Sequence, residues 1–102
     1  MIRHIFVGTA NEGISREQLE ALVSIWRALP EKIPEIRHMT AGCNISPRDQ
    51  RYSVALVADF DTMRDWEVYM DHPTHTAVRE RLTSKLIRND SRAAVQIVVE
   101  DA

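Results

Sequence analysis

The stretch Tyr52-Ser53-Val54-Ala55-Leu56-Val57-Ala58-Asp59-Phe60 decides the fold. Its β-branched and aromatic residues mark a strand. It is bounded upstream by the turn-rich Ile45-Ser46-Pro47-Arg48-Asp49-Gln50-Arg51 and downstream by Asp61, a helix-capping residue type. Successive side chains along a strand point to opposite faces. Val54, Leu56, Ala58 and Phe60 therefore share one face, while Ala55 and Val57 occupy the other. A strand apolar on both faces is buried on both.

Downstream, Asp61 is the expected N-cap of a second helix carrying Met63, Trp66, Tyr69 and Met70 inward. Pro73 fits only a first helical turn, so it opens a third helix rather than kinking the second. Val78, Leu82 and Leu86, spaced by four, give that helix its apolar stripe. Arg88-Asn89-Asp90-Ser91 reads as a turn, and Arg92 to Glu100 as a fourth strand. Upstream, Ile36 to Asn44 is the second strand, joined to Tyr52–Phe60 as an antiparallel hairpin. Further back, Ser15 and Gln18 form a capping box and Ile14 can staple onto Leu19, opening a helix over 15–29. Leu19, Leu22, Val23, Trp26 and Leu29 recur at helical spacing until Pro30 stops them. Ile2 to Ala10 is the first strand.

The order β-α-β-β-α-β, with its second helix broken, is that of the ferredoxin-like α+β fold, a four-stranded antiparallel sheet with helices on one face. Its open face should be polar. Instead Ile5 and Val7 lie opposite Ile2, His4 and Phe6, and Ala93, Val95, Ile97 and Val99 opposite Ala94 and Val98. Both faces need cover, and the simplest cover is a second copy of the sheet in a two-fold homodimer. Length agrees: 102 residues form one domain, 1–102, that alone buries roughly 60–65 % of its unfolded surface.

Composition excludes several classes. Hydrophobic residues at 44 % and charged residues at 27 % are those of a globular chain. A net charge of −2 gives no electrostatic reason to expect nucleic acid or an anionic membrane as partner. No run of 18 apolar residues is present, and the N-terminus is too short and mixed for a secretory signal. The single cysteine, Cys43, excludes an intrachain disulfide, suits a cytoplasmic protein and reads as packing. Eleven of the 13 basic residues are arginines scattered among acids, a solvated surface.

Chemistry concentrates in Tyr69-Met70-Asp71-His72-Pro73-Thr74-His75. Tyr69 and His75, six apart, face different ways in a continuous helix; only a break at Pro73 turns both toward one cavity. Histidine moves protons near neutrality, and a tyrosine hydroxyl can polarise a carbonyl. The bland alternative is that His72 caps a helix before Pro73 and His75 is an ordinary half-buried imidazole. A metal site is not expected, since the short helical zinc motif spaces its histidines by four with a Glu between them. His4 and His38 sit in predicted strands: His38 as satisfied core, His4 facing either the helices or the partner.

Across nearly its whole length the chain resembles the stress-responsive A/B barrel family. The resemblance runs through Ile2-Arg3-His4-Ile5, Leu29-Pro30-Glu31-Lys32-Ile33-Pro34, Gly42-Cys43-Asn44-Ile45-Ser46-Pro47-Arg48-Asp49 and Val57-Ala58-Asp59-Phe60. Its most specific piece is Tyr69 followed by His72-Pro73-Thr74-His75, similar to the family's Tyr-x-x-His-Pro-x-His signature. The resemblance implies sheets that pair into a dimeric α/β barrel. It also implies, by likeness to a plant polyketide cyclase of the family, a catalytic pair of His75 as general base and Tyr69 at the carbonyl oxygen. His4, Trp66 and Phe6 are then the expected substrate-binding residues, with no metal and no cofactor. Asp71 before His72 and Thr74 between the histidines depart from that cyclase, so its substrate is not carried over. The expectation is a cyclase, isomerase or lyase acting on a small carbonyl or aromatic compound. A non-catalytic dimeric stress-response or ligand-binding protein is the alternative, and a cofactor-free monooxygenase a third.

Overall fold

The computed structural model describes residues 1–100. The chain folds as β1 (Ile2–Ala10), α1 (Arg16–Ala28), β2 (His38–Cys43), β3 (Val54–Phe60), α2 (Met63–Asp71), α3 (Pro73–Val78) and β4 (Ile87–Val98). A π-helical turn, Arg79–Thr83, and a last helical turn, Ser84–Leu86, join α3 to β4. The capping box forms: Ser15 Oγ accepts from the Gln18 amide at 3.1 Å, and Gln18 Oε1 accepts from the Ser15 amide at 2.9 Å. These bonds satisfy amides that a helix start leaves unpaired. Leu19, Leu22, Val23 and Trp26 are buried, and Pro30 tightens the exit into a 3-10 turn.

The strands form one antiparallel sheet in the order β2-β3-β1-β4. The register aligns Ile2, His4 and Phe6 of β1 with Phe60, Ala58 and Leu56 of β3 and with Val98, Gln96 and Ala94 of β4. The helices cover the β1–β3 part of this side, where Phe6 meets Trp26 edge-on at 5.8 Å, while Val98 on the edge strand β4 is 79 % exposed. The opposite side aligns Ile5 with Val57 and Val95, and Val7 with Ala55 and Ala93. Val95 is 53 % exposed and Ile97 44 %, so the sheet does present a bare apolar face. At its end Arg3 grips Asp59 with two hydrogen bonds, of 2.8 and 3.0 Å.

Four expectations are corrected. Helix α2 is capped by Thr62, whose Oγ1 accepts from the Asp65 amide at 3.1 Å, while Asp61 lies 3.6 Å from Arg37. Met63, on the first turn of α2, is 43 % exposed and not in the core. His38 is exposed rather than buried. Finally, Arg88-Asn89-Asp90-Ser91 is not a turn. Ile87 already pairs with Ala10, and Arg92 with Gly8, so four residues of β4 bulge opposite Thr9. Turn-like residues supply what a bulge needs. Thr9 Oγ1 lies 2.7 Å from Ser91 Oγ, and the Arg92 guanidinium donates to the carbonyls of Ile87 and Arg88 at 2.7 and 2.9 Å.

Gly8 shows how tightly the strand pair closes beside this bulge. A Cβ added there would stand 2.6 Å from Cγ2 of fully buried Ile87. Gly8→Ala is therefore expected to lower stability by about 1–3 kcal/mol through overpacking. Urea denaturation checks this; an unchanged midpoint would contradict the packing described.

Candidate active site

Proline makes the site by breaking a helix. The residue before a proline is driven to extended backbone, and His72 adopts φ −63°, ψ 135°. It then serves both helices: its amide donates to the Tyr69 carbonyl at 3.2 Å, and its Nδ1 accepts from the Thr74 amide at 3.1 Å. Across this joint the rings of Tyr69 and His75 meet with centroids 4.3 Å apart. His72→Ala is expected to remove about 0.5–2 kcal/mol of stability, and His72→Asn, a competent N-cap, to restore most of it. Thermal melts of the two variants decide this; equal losses would contradict the capping role.

Under the joint lies a cavity of about 210 Å³. His4, Phe6, Leu56 and Ala94 rise from the sheet to form its floor. Tyr69, Met70, His75 and Val78 form its roof, with Arg79 and Thr83 of the π turn, Arg92 and Trp26 completing the wall. The volume is below the roughly 300–1,000 Å³ of pockets for drug-sized ligands. It suits a small molecule.

The two histidines are held in opposite tautomers. Trp66 Nε1 lies 3.2 Å from His4 Nδ1, and Gln96 Nε2 3.1 Å from the same atom. An indole N–H can only donate, so Nδ1 accepts and neutral His4 carries its proton on Nε2. His75 Nδ1 lies 3.1 Å from the Met70 carbonyl, which can only accept. Its proton is therefore on Nδ1 and its lone pair on Nε2.

Burial shapes the titration of all three polar groups. It lowers His4 to about 4, with His75 adding to the effect. It lowers His75 as well; the Met70 carbonyl opposes this, and Arg79 and His72 reinforce it. It pushes Tyr69 up to about 12. Among the described residues every fully sealed side-chain nitrogen and oxygen has a hydrogen-bond partner. His4 Nε2, His75 Nε2 and the Tyr69 hydroxyl have none, so none of the three is fully sealed, and all three residues line the cavity. Two donors and one base face one small apolar space.

Residues 2–99 match the stress responsive A/B barrel domain family. The chain belongs to that family. The A/B barrel domain is 32 % identical over 79 residues to the uncharacterised protein SCO4036 of Streptomyces coelicolor, spanning 76 % of this chain and 81 % of that one. Among solved structures it is similar to a dimeric ferredoxin-like protein of unknown function from Thermobifida fusca. The identity there is 30 %, the TM-score 0.83, and the match covers 96 % of this chain and 90 % of the other. A hydroxynitrile lyase from Passiflora edulis shares the fold with a TM-score of 0.81 at 14 % identity, over 99 % and 94 % of the two chains.

Four of the five residues singled out in the sequence of this A/B barrel domain, His4, Phe6, Tyr69 and His75, meet at the cavity. Trp66 does not line it. It stands behind His4, ring centroids 6.1 Å apart, and sets that histidine's tautomer. Arg79, Thr83 and Arg92 were not anticipated, the arginines being read as surface. Arg79 follows His75 by four, one helical turn, and Arg92 alternates with Ala94 and Gln96, so helical and strand periodicity put both on the same faces as those residues. Cys43 is half-buried, and burial and Glu20 push its thiol up, away from nucleophilic use. Among the described residues no group of three or more His, Cys, Asp or Glu is placed to hold a metal ion. No helix is long and apolar enough to cross a membrane.

Proposed function

We propose that this A/B barrel domain is an acid–base enzyme acting on a small carbonyl compound, of isomerase, lyase or cyclase type. The observation that carries the reading is the set of three unpartnered polar atoms, two donors and one lone pair, on residues that line one cavity. His75 Nε2 takes a proton from the carbon beside the carbonyl. Negative charge then develops on the carbonyl oxygen, and the Tyr69 hydroxyl and His4 Nε2–H donate to it. Donors fixed in place before the charge develops are worth more than the same groups in solution. The His75 imidazolium returns the proton to carbon or oxygen, or the enolate carbon bonds to a second carbonyl, closing a ring, and the imidazolium protonates the alkoxide so formed. Neutral His4 and protonated Tyr69 are what donation requires, and burial keeps both in that state. The lyase of the same fold indicates that the architecture accommodates catalysis; its substrate is its own.

The test needs no natural substrate. Deuterium uptake from D₂O into the methyl groups of 4-acetylbenzoate and 4-acetylbenzamide, followed by proton NMR, reports proton abstraction beside a carbonyl. Acceleration over buffer at matched pH is expected for at least one of the two ketones. No acceleration for either would overturn the reading.

The protein works as a homodimer in this proposal, paired through the bare face of Ile5, Val7, Val57, Val95 and Ile97. Dimeric relatives and the exposure of Val95 and Ile97 support it. Sedimentation equilibrium at micromolar concentration is expected to give twice 11.7 kDa, and Val95→Asp to give the single mass. A wild-type monomer, or a variant that stays dimeric, would contradict the pairing.

A further inference from the structure

The cavity has a second polar end that the proton-transfer chemistry does not use. Arg79, Thr83 and Arg92 line it, and no aspartate or glutamate does. Arg92 is anchored by its two bonds to the carbonyls of Ile87 and Arg88, which occupy Nε and Nη2 and leave Nη1 over. Its guanidinium is thus fixed in direction before any ligand arrives. The exposed side chain of Arg79 has, among the described residues, neither an ion pair nor a hydrogen bond, and the residue stands one helical turn beyond His75, whose carbonyl accepts from the Arg79 amide. The hydroxyl of buried Thr83 also lacks a hydrogen-bond partner and is not sealed, and Thr83 lines the cavity. The π turn Arg79–Thr83 carries two of these residues to the cavity wall, and π turns concentrate at functional sites.

The sheet register sets the layout. His4 pairs with Gln96, Phe6 with Ala94 and Gly8 with Arg92, so the floor runs from the reacting end to the arginine end. Four residue steps, from His4 to Gly8, separate the two rows, about 13 Å of backbone at ~3.3 Å per residue. The middle is apolar: Phe6 and Ala94 below, Val78 above. Two permanent cations without a carboxylate among the lining residues call for an anion, and the planar fork of arginine matches a carboxylate.

We infer that the substrate is an organic carboxylate, its carboxyl group held by Arg79 and Arg92 with Thr83 donating, and its reacting carbonyl held at Tyr69 and His4 across a short apolar body. The inference rests on the proposed function for which end reacts. The anionic end stands on the cavity alone.

Calorimetric titration with 4-acetylbenzoate and its neutral analogue 4-acetylbenzamide tests it. The wild-type protein is expected to prefer the carboxylate by about tenfold or more, a preference that shrinks with added salt. Arg79→Gln should weaken the carboxylate by about tenfold and leave the amide unchanged. Arg92→Lys, which keeps the charge and loses the fork, should weaken the carboxylate selectively as well. Equal binding of the two compounds, or an Arg79→Gln effect shared by both, would overturn the inference. Tyr69→Phe should retain the carboxylate preference. Preference without deuterium exchange therefore sinks only the proton-transfer reading, and exchange without preference sinks only this one.

Discussion

His75→Phe is expected to reduce protein-catalysed deuterium exchange by about 10²–10⁴-fold, the usual worth of a positioned base. The size follows from the absence of a substitute. His4 has its lone pair occupied by Trp66 and Gln96, and His72 has its Nδ1 occupied by the Thr74 amide. Tyr69→Phe should act differently. It removes one donor from the developing oxyanion, an effect of about 10²–10³-fold. The double variant should fall little further than His75→Phe alone, because groups acting on one transition state are not additive. The rate should be flat through neutrality. It should fall on acidification below His75's lowered pKa, which lies under the ordinary 6.5, because only the neutral imidazole accepts a proton. An exchange rate unchanged in His75→Phe would contradict the assignment of the base.

The second large effect is on stability in acid. His4 binds its proton at about 4 in the folded protein, against 6.5 as a free side chain. Between these values the unfolded chain holds the proton and the folded one does not, so stability increases with pH across the window. It is fully present above about 6.5 and is lost progressively down to about 4, a loss on the order of 3 kcal/mol. The structural cause is concrete: protonating Nδ1 sets two N–H groups against each other where Trp66 now donates. His75, also lowered by burial, adds in the same direction. Urea midpoints between pH 7.5 and 5 should fall steeply in the wild type and much less in His4→Phe. Equal slopes in the two proteins would contradict a buried neutral His4. The exposed carboxylate pairs do not interfere here; Asp49, lowered to about 2 by Arg51, acts only at much lower pH.

The architecture was open to reading because its determinants are local and periodic. The alternation in Val54–Phe60 implied a sheet apolar on both sides; the helices pack on one, and Val95 and Ile97 stand exposed on the other. Ser15 with Gln18, and Pro73 after His72, act within three residues, so the start of α1 and the broken helix were visible. What escaped lies between residues distant in sequence. Gln96 holds His4 from 92 positions away, and nothing in the order of residues links them. Trp66 shows a subtler limit: an inward aromatic looks the same in sequence whether it lines a cavity or backs the residue that does. The bulge at Arg88–Ser91 was mistaken for a turn because both structures satisfy backbone groups with the same short polar side chains. Placing a turn there also hid the anchoring of Arg92, and with it the cationic end of the cavity.

His4 and His75 stand neutral in opposite tautomers with Tyr69 against both, one ready to donate and one to accept. Long-range ¹⁵N–¹H correlation of the histidine rings at pH 7 measures this directly, without an assay. His4 is expected to be protonated at Nε2 only and His75 at Nδ1 only. A proton on His75 Nε2, or a His4 carrying its proton at Nδ1, would leave the cavity without its base or its second donor and would overturn the proton-transfer assignment.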